Sequence, residues 1–424
     1  QEEPFLFPDQ QADRDGVYSG SAFIENNTIH YFYTGNVKLM DRDDYDYIQN
    51  GREQNTIHIT SQDGYSLSKK EVVLTNHDYP ADMSAHVRDP KIFQKGNDYY
   101  MVLGARSQNN KGCVLMYRSH DFIHFDYYNR IETPDKFGYM WECPDLFELP
   151  VDGTNEKKWV LLCNLNPGGP FGGSATQYFI GSFDGKKFSC DNQPNITKWM
   201  DWGKDHYATV TWSDAPDNRR IAIAWMSNWQ YANDVPTSQY RSPNSVPRDL
   251  SLFAIDGGIY LQSAPSPELL KLRDVSKKRS FKVNGTRIVK DLIPNNEGAY
   301  EIELSLKNQQ AEVIGFRLYN DKGEEVDMQY DMKEKKFSMD RRKSGEVSFN
   351  ENFPMLTWTA IEGDKDEMKL RLFVDRSSVE AFGDGGRFAM TNQVFPSEPY
   401  NHISFYSKGG AYKVDSFVVY KLKK

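Results

Sequence analysis

Ser21–Gly35 reads SAFIENNTIHYFYTG: an aromatic and apolar run, a polar Asn-Asn-Thr turn, then a second aromatic run. Alternation around such a turn predicts a β-hairpin. The pattern returns three times, as DPKIFQKGNDYYMVLG at Asp89–Gly104, PDLFELPVDGTNEKKWVLLCNL at Pro144–Leu165 and ATVTWSDAPDNRRIAIAWM at Ala208–Met226. Each hairpin is followed by another. The second set carries a Ser-x-Asp signature: ITSQDGYSL from Ile59, YRSHDFIHF from Tyr117 and IGSFDGKKF from Ile180. A fourth, LSLFAIDGGIYLQ from Leu250, keeps only the Asp-Gly turn. The repeating unit is therefore four strands, and four-stranded units in series mark a β-propeller. A sandwich also gives serial hairpins, but it does not repeat the same landmarks. Four units run from Ser19 to Ser263.

The texture changes after Pro265. SPELLKLR (Ser266–Arg273) reads as a short helix or linker. From Phe281 the strands IELSLK, IGFRLYN, KFSMDR, KLRLFVDRSSVEAF, HISFYSK and VDSFVVYKLK follow without any Ser-x-Asp landmark. Lys369–Phe382 alternates as a half-buried strand does. The expected organisation is all-β: a propeller over residues 1–265, a linker over 266–280 and a C-terminal β-sandwich over 281–424.

Composition narrows the function. The 424 residues carry 60 acidic and 51 basic side chains, a net charge of −9. That excludes a partner bound mainly through a nucleic-acid backbone, which needs a basic face. No stretch approaches 18 consecutive apolar residues, so no membrane-spanning helix is expected. Aromatics make up 14% against 38% hydrophobic overall, which favours β structure and sugar-facing clefts. Cys113, Cys143, Cys163 and Cys190 form no C-x-x-C pair, so no zinc site is expected. The acidic DRDDYD at Asp41–Asp46 lacks the Gly and Glu of an EF-hand loop and reads as solvated. Sequons begin at Asn26, Asn195 and Asn284.

In a propeller, the innermost strands converge on the axis, so acids at the starts of successive units face one another. Two such acids are Asp89 in HVRDPKIF and Glu142 in MWECPDLFEL. Both precede a proline by one or two residues, which holds the backbone extended. Glu142 lies between Trp141 and Cys143, an apolar setting that raises a carboxyl pKa toward that of a general acid. Arg88 is expected to keep Asp89 ionised and to offer a donor fork to a sugar hydroxyl. Two carboxyls pushed apart in pKa among aromatics suggest glycoside chemistry. The bland reading is a pair of ordinary strand-edge carboxylates.

MWECPDLFEL, the RDP of HVRDPKIF and YSGSAF at Tyr18–Phe23 together resemble glycoside hydrolase family 32, the β-fructofuranosidases. FVDRSSVEAFGDGG at Phe373–Gly386 resembles that family's sandwich-domain motif. NPGGPFGGSATQYFIGSFDG at Asn166–Gly185, AWMSNWQYANDVPTSQYRS at Ala224–Ser242 and NSVPRDLSL at Asn244–Leu252 resemble its levanases and exo-inulinases. The resemblance covers essentially the whole chain.

It implies a five-bladed propeller joined to a sandwich, and retaining hydrolysis of a terminal β-fructofuranosyl linkage in levan, inulin or sucrose. Glu142 would be the acid/base and Asp89 the transition-state stabiliser. Tyr18, Ser19, Arg88, Cys143 and Trp225 would bind substrate, with Cys143 an environment for Glu142 rather than a nucleophile or metal ligand. Asp201 and Asp205 match a motif of structural or rim character. No cofactor is implied. One departure stands out. The family's nucleophile is an Asp in W-M-N-D-P-N-G on the first blade, and this sequence contains no such string. QEEPFLFP at Gln1–Pro8 resembles the connector after that blade. The expectation is four blades with the first missing, and no hydrolysis by these residues alone. Two other readings stay open: a non-catalytic fructan-binding or vestigial protein, and a sucrose-6-phosphate hydrolase. The latter resemblance rests on Gly112–Leu146 and needs a basic pocket for the phosphate. A levanase-like protein would act outside the cytoplasm, a sucrose-6-phosphate hydrolase inside it.

Overall fold

The computed structural model describes residues 4–423 apart from 133–139, 192–195, 275–277, 294 and 364–365. The sequon at Asn195 and part of the expected linker lie outside the described residues. Four antiparallel sheets follow one another along the first part of the chain. The first comprises β1 (Val17–Glu25), β2 (Thr28–Lys38), β3 (Arg52–Ser61) and β4 (Glu71–Leu74). The second comprises β5 (Met83–Lys95), β6 (Asp98–Ser107), β7 (Gly112–Ser119) and β8 (Asp126–Ile131). The third holds β9 (Trp141–Pro150), β10 (Lys157–Leu165), β11 (Ala175–Phe183), β12 (Phe188–Cys190) and the short β13 (Lys198–Trp199). The fourth holds β14 (Tyr207–Ala215), β15 (Arg219–Trp225), β16 (Arg248–Ile255) and β17 (Gly258–Pro265). The first strands are neighbours in space, β1 beside β5, β5 beside β9 and β9 beside β14, as blades around an axis require.

The Ser-x-Asp landmark is a turn cap. Asp63 Oδ1 accepts from the Tyr65 and Ser66 amides, Asp121 Oδ1 from those of Ile123 and His124, and Asp184 Oδ1 from those of Lys186 and Lys187. A short carboxylate satisfies the amides that the ladder leaves unpaired at each turn. The recurrence therefore follows from local chemistry.

Blades pack through aromatic interfaces. Phe23 and Phe32 of the first sheet meet Tyr99, Tyr117 and Phe122 of the second in one buried cluster. Leu250 and Leu252 of the fourth sheet meet Phe147, Val160 and Tyr178 of the third. The first and fourth sheets differ on the face that is not packed against a neighbouring blade. On the first, residues leading into β1 fold back, so that Leu6 and Ala12 cover Tyr33, Ile57 and Ile59. On the fourth, Val210 pairs with Ile223 and Trp212 with Ile221, and Val210 and Trp212 remain 41% and 52% exposed.

After a 3₁₀ turn at Pro267–Leu272, two six-stranded sheets enclose a second core that includes Ile302, Phe316, Met328, Leu372 and Phe405. The propeller meets this sandwich through buried ion pairs. Arg248 Nη1 bonds Asp201 Oδ2 at 2.9 Å and Arg248 Nη2 bonds Glu380 Oε2 at 2.8 Å. Arg341 pairs with Asp205, and Tyr231 Oη donates to the same carboxylate at 2.5 Å.

Candidate functional site

Each innermost strand carries a bulge. The register shifts between Tyr18 and Gly20 in β1, between Arg88 and Lys91 in β5 and between Tyr207 and Val210 in β14. In the β9–β10 pair it shifts opposite Leu162–Asn164. Asp89, Cys143 and Ala208 sit there with φ of 64°, 42° and 53°. Side chains of L-residues avoid this region, at a cost of about 1–3 kcal/mol each. Repeated strain at one level of the axis re-aims the neighbouring side chains, as bulges beside sites do.

The bulges correct the expected pairing of acids. Asp89 is the seventh residue of β5 and Glu142 the second of β9, so neither opens its strand in the matched way expected. The equivalent positions are Asp89 and Cys143, and one residue earlier Arg88 and Glu142. The contacts follow that frame. Arg88 Nη2 donates to Glu142 Oε1. The Cys143 amide donates to Asp89 Oδ2 at 2.9 Å, with the thiol 3.6 Å away. Arg88 Nε is 3.9 Å from Asp89 Oδ2. Aligning RDPK with ECPD on the shared proline, rather than on the acids, would have revealed this offset.

Glycine helps to position the group. A Cβ on Gly104 of β6 would lie 2.2 Å from the Trp141 carbonyl oxygen. Only Gly lets β6 approach the backbone that carries Glu142. Asn164 of β10 completes the support, donating from Nδ2 to the carbonyls of Glu142 and Cys143 at 3.2 and 3.3 Å.

Electrostatics differ from the sequence expectation at Asp89. Burial pushes its carboxyl up to about 6; Arg88 opposes the shift, while the Glu142 charge adds to it. Arg88 therefore does not hold Asp89 at an ordinary acid value. Burial alone would lower the Arg88 guanidinium, but Glu142 and Asp89 more than offset that, and it lies above its usual value. Burial, then Asp89 and Glu142, drive the Cys143 thiol well above its ordinary value, so it stays protonated. His86 is held down to about 2 by burial and by Arg88, Arg52 and Arg106. Since Arg88 Nη1 can only donate, neutral His86 accepts at Nδ1 (3.1 Å) and donates from Nε2 to the Tyr47 carbonyl (3.3 Å).

A pH effect follows. An ordinary Asp titrates near 3.9. Between about pH 4 and about pH 6 the folded state keeps the Asp89 proton that the unfolded chain releases. This group's contribution to stability is full below that window and is lost as pH rises through it. Asp89→Asn should therefore raise Tm relative to the parent by more at pH 7 than at pH 4. An equal offset at both pH values would contradict the assignment.

Asp89, Ser19 and Cys143 line an axial cavity of about 360 Å³ together with Asp145, Trp212 and Asp214. In the same cavity wall, Lys91 Nζ donates to the Thr211 carbonyl at 2.7 Å and lies 3.5 Å from Asp145 Oδ2, which also accepts from Thr211 Oγ1 at 2.5 Å. The sequence reading missed this cross-axis layer, although Lys91 and Asp145 occupy matched positions after the two prolines. Tyr18 pairs with Thr34, whose Oγ1 accepts from the Asp89 amide at 3.0 Å. Trp225 has Tyr207 and Trp229 as ring neighbours, at 6.2 and 5.0 Å; like Arg88 and Glu142, it is not in the wall of the cavity that holds Asp89. Among the described residues no group of three or more His, Cys, Asp or Glu stands where it could hold a metal ion.

Similarity to known proteins extends along both parts of the chain. The model of the glycosyl hydrolases family 32 N-terminal domain matches residues 1–265, and that of the family 32 C-terminal domain matches residues 268–421. A levanase of Bacillus subtilis (strain 168) is 36% identical over 99% of this chain and 61% of its own length. An extracellular exo-inulinase of Aspergillus awamori is 30% identical over 88% of this chain and 72% of its own. The crystal structure of the A. awamori exo-inulinase superposes with a TM-score of 0.82 at 26% identity, covering 96% of this chain and 84% of that one. The chain spans 61% and 37% of the lengths of two levanases that it matches.

Proposed function

Because the chain belongs to glycosyl hydrolase family 32, we propose that its axial site binds the terminal β-fructofuranosyl unit of levan, inulin or sucrose. Glu142 serves as acid/base toward the leaving oxygen. Asp89 binds fructose hydroxyls and stabilises the charge that develops on the ring. Ser19 lines the same cavity, Arg88 orients Glu142, Tyr18 abuts the site through Thr34, and Cys143 fixes Asp89 through its amide. The observation that carries this reading is the Arg88–Glu142 pair at the level where Asp89 faces the axis.

The retaining route also needs a carboxylate nucleophile roughly 5–5.5 Å from the acid. The family's W-M-N-D-P-N-G string is absent from Gln1–Lys424. Asp145, the other acid inside the cavity wall on β9, is engaged by Lys91 and Thr211. The reading for these 424 residues alone is binding without turnover.

Calorimetric titration with sucrose and short inulin tests the binding role. Asp89→Ala should weaken binding by roughly tenfold or more, the loss of a charge-assisted hydrogen bond. Glu142→Gln should leave the affinity within about threefold of the parent, because its work is done in the transition state. Equal losses in both variants, or no binding by the parent, would overturn the assignment.

A further inference from the structure

Beside the Arg88–Glu142 pair lies a second polar group that the fructoside reading does not use. In the β2–β3 register, Asn36 stands directly opposite Gln54, and Arg52 follows two residues from Gln54 on the same face. That face carries Thr34, which bonds β5 at Asp89, so it looks into the space between the first two blades. Arg52 is 2% exposed, and Asn36 and Gln54 are fully buried. Arg52 Nε, Nη1 and Nη2, both amide atoms of Asn36 and both of Gln54 have no hydrogen-bond partner among the described residues. Orphan polar atoms on this scale are rare in a folded protein and each costs about 1–3 kcal/mol.

The charge is also unbalanced. The guanidinium stacks on the Tyr47 ring, 3.5 Å from its centroid. The neighbouring charge that acts on it most strongly is another cation, Arg88. His86 between the two arginines is neutral, and Glu142 is taken by Arg88. Water could satisfy the hydrogen bonds but could not cancel the charge. A buried, unpaired cation calls for a counter-charge.

We infer that Arg52, Asn36 and Gln54 form a binding site for a small anionic group next to the catalytic pair. The guanidinium supplies the charge and a donor fork, and the two carboxamides supply further N–H donors. Tyr47 closes the site and is itself 48% exposed, so its ring can turn outward to admit the anion. The anion is either a free ion or a phosphoryl group carried by the leaving sugar. Only the second source rests on the fructoside reading.

Thermal unfolding of the full chain tests this at constant ionic strength, with a bulky organic sulfonate as the reference anion. Chloride, inorganic phosphate, glucose 6-phosphate and glucose are the probes. The expected result is a saturable rise in Tm with phosphate or chloride, absent in Arg52→Met. Glucose 6-phosphate acting at tenfold lower concentration than phosphate, with glucose silent, assigns the sugar-borne source. Equal potency assigns the free ion. Should Arg52→Met not fold, Gln54→Leu and the anomalous signal of bromide in crystals of the parent carry the same test. No saturable anion effect in the parent, or an undiminished effect in the variant, overturns the inference. No fructoside enters the assay, so its outcome is independent of whether sucrose or inulin binds.

Discussion

Purified Gln1–Lys424 is expected to release fructose from sucrose, inulin and levan about four to six orders of magnitude more slowly than an intact retaining enzyme. On the proposed reading Glu142 protonates the leaving oxygen and Asp89 stabilises positive charge, which leaves neither free to act as nucleophile. Asp89 is committed to the Cys143 amide and is flanked by Arg88 on the same strand. Lys91 and Thr211 hold Asp145. General acid catalysis and charge stabilisation without covalent capture leave only weak acceleration. Fructose release at ordinary enzyme rates by the purified, monomeric chain would show that one of these carboxylates, or another on the axis, acts as nucleophile.

The second large effect concerns stability. Asp205→Ala is expected to cost about 3–5 kcal/mol, because it leaves Arg341 buried without its carboxylate. Arg341 and Asp205 are fully buried, and the same carboxylate accepts from Tyr231 and from the Gln393 amide at 2.8 Å. The loss should lower Tm by roughly 5–15 °C in thermal unfolding. Adding Arg341→Met should recover part of it, since removing both charges costs less than stranding one. A single variant that unfolds with the parent would mean that water reaches Arg341 and the joint between propeller and sandwich is held by its apolar contacts alone.

What was legible in the sequence was local. The Ser-x-Asp turns repeat because each aspartate caps two amides within three residues, a contact written into consecutive positions. The four hairpins and the change of texture after Pro265 are read in the same way. The site was half legible. Arg88, Asp89, Glu142 and Cys143 come together, but the proline spacing, read acid to acid, did not reveal that Arg88, rather than Asp89, is the residue matched with Glu142. Bulges do not announce themselves when the residues forced to positive φ are Asp, Cys and Ala rather than Gly. Trp225 pairs with Tyr207 in the β14–β15 register and has the ring of Trp229 beside it, neighbours that the sequence alone does not reveal. The Arg52 group was invisible because its members meet only through the pairing of β2 with β3, across the 39–51 loop. Arg248 with Glu380, and Asp205 with Arg341, are still more remote in sequence.

The central claim is that Glu142 is the proton donor to the leaving group in the frame set by Arg88 and Asp89. The most direct test places a family W-M-N-D-P-N-G segment ahead of Gln1 to restore turnover. It then measures kcat for the parent and Glu142→Gln on two fructosides, one with a poor and one with a good leaving group. The account predicts a loss of about 10³–10⁴-fold on the poor leaving group and a much smaller loss on the good one, because a departing group that needs no proton needs no acid. Near-normal turnover of the poor leaving group by Glu142→Gln, or equal losses on both substrates, would contradict it.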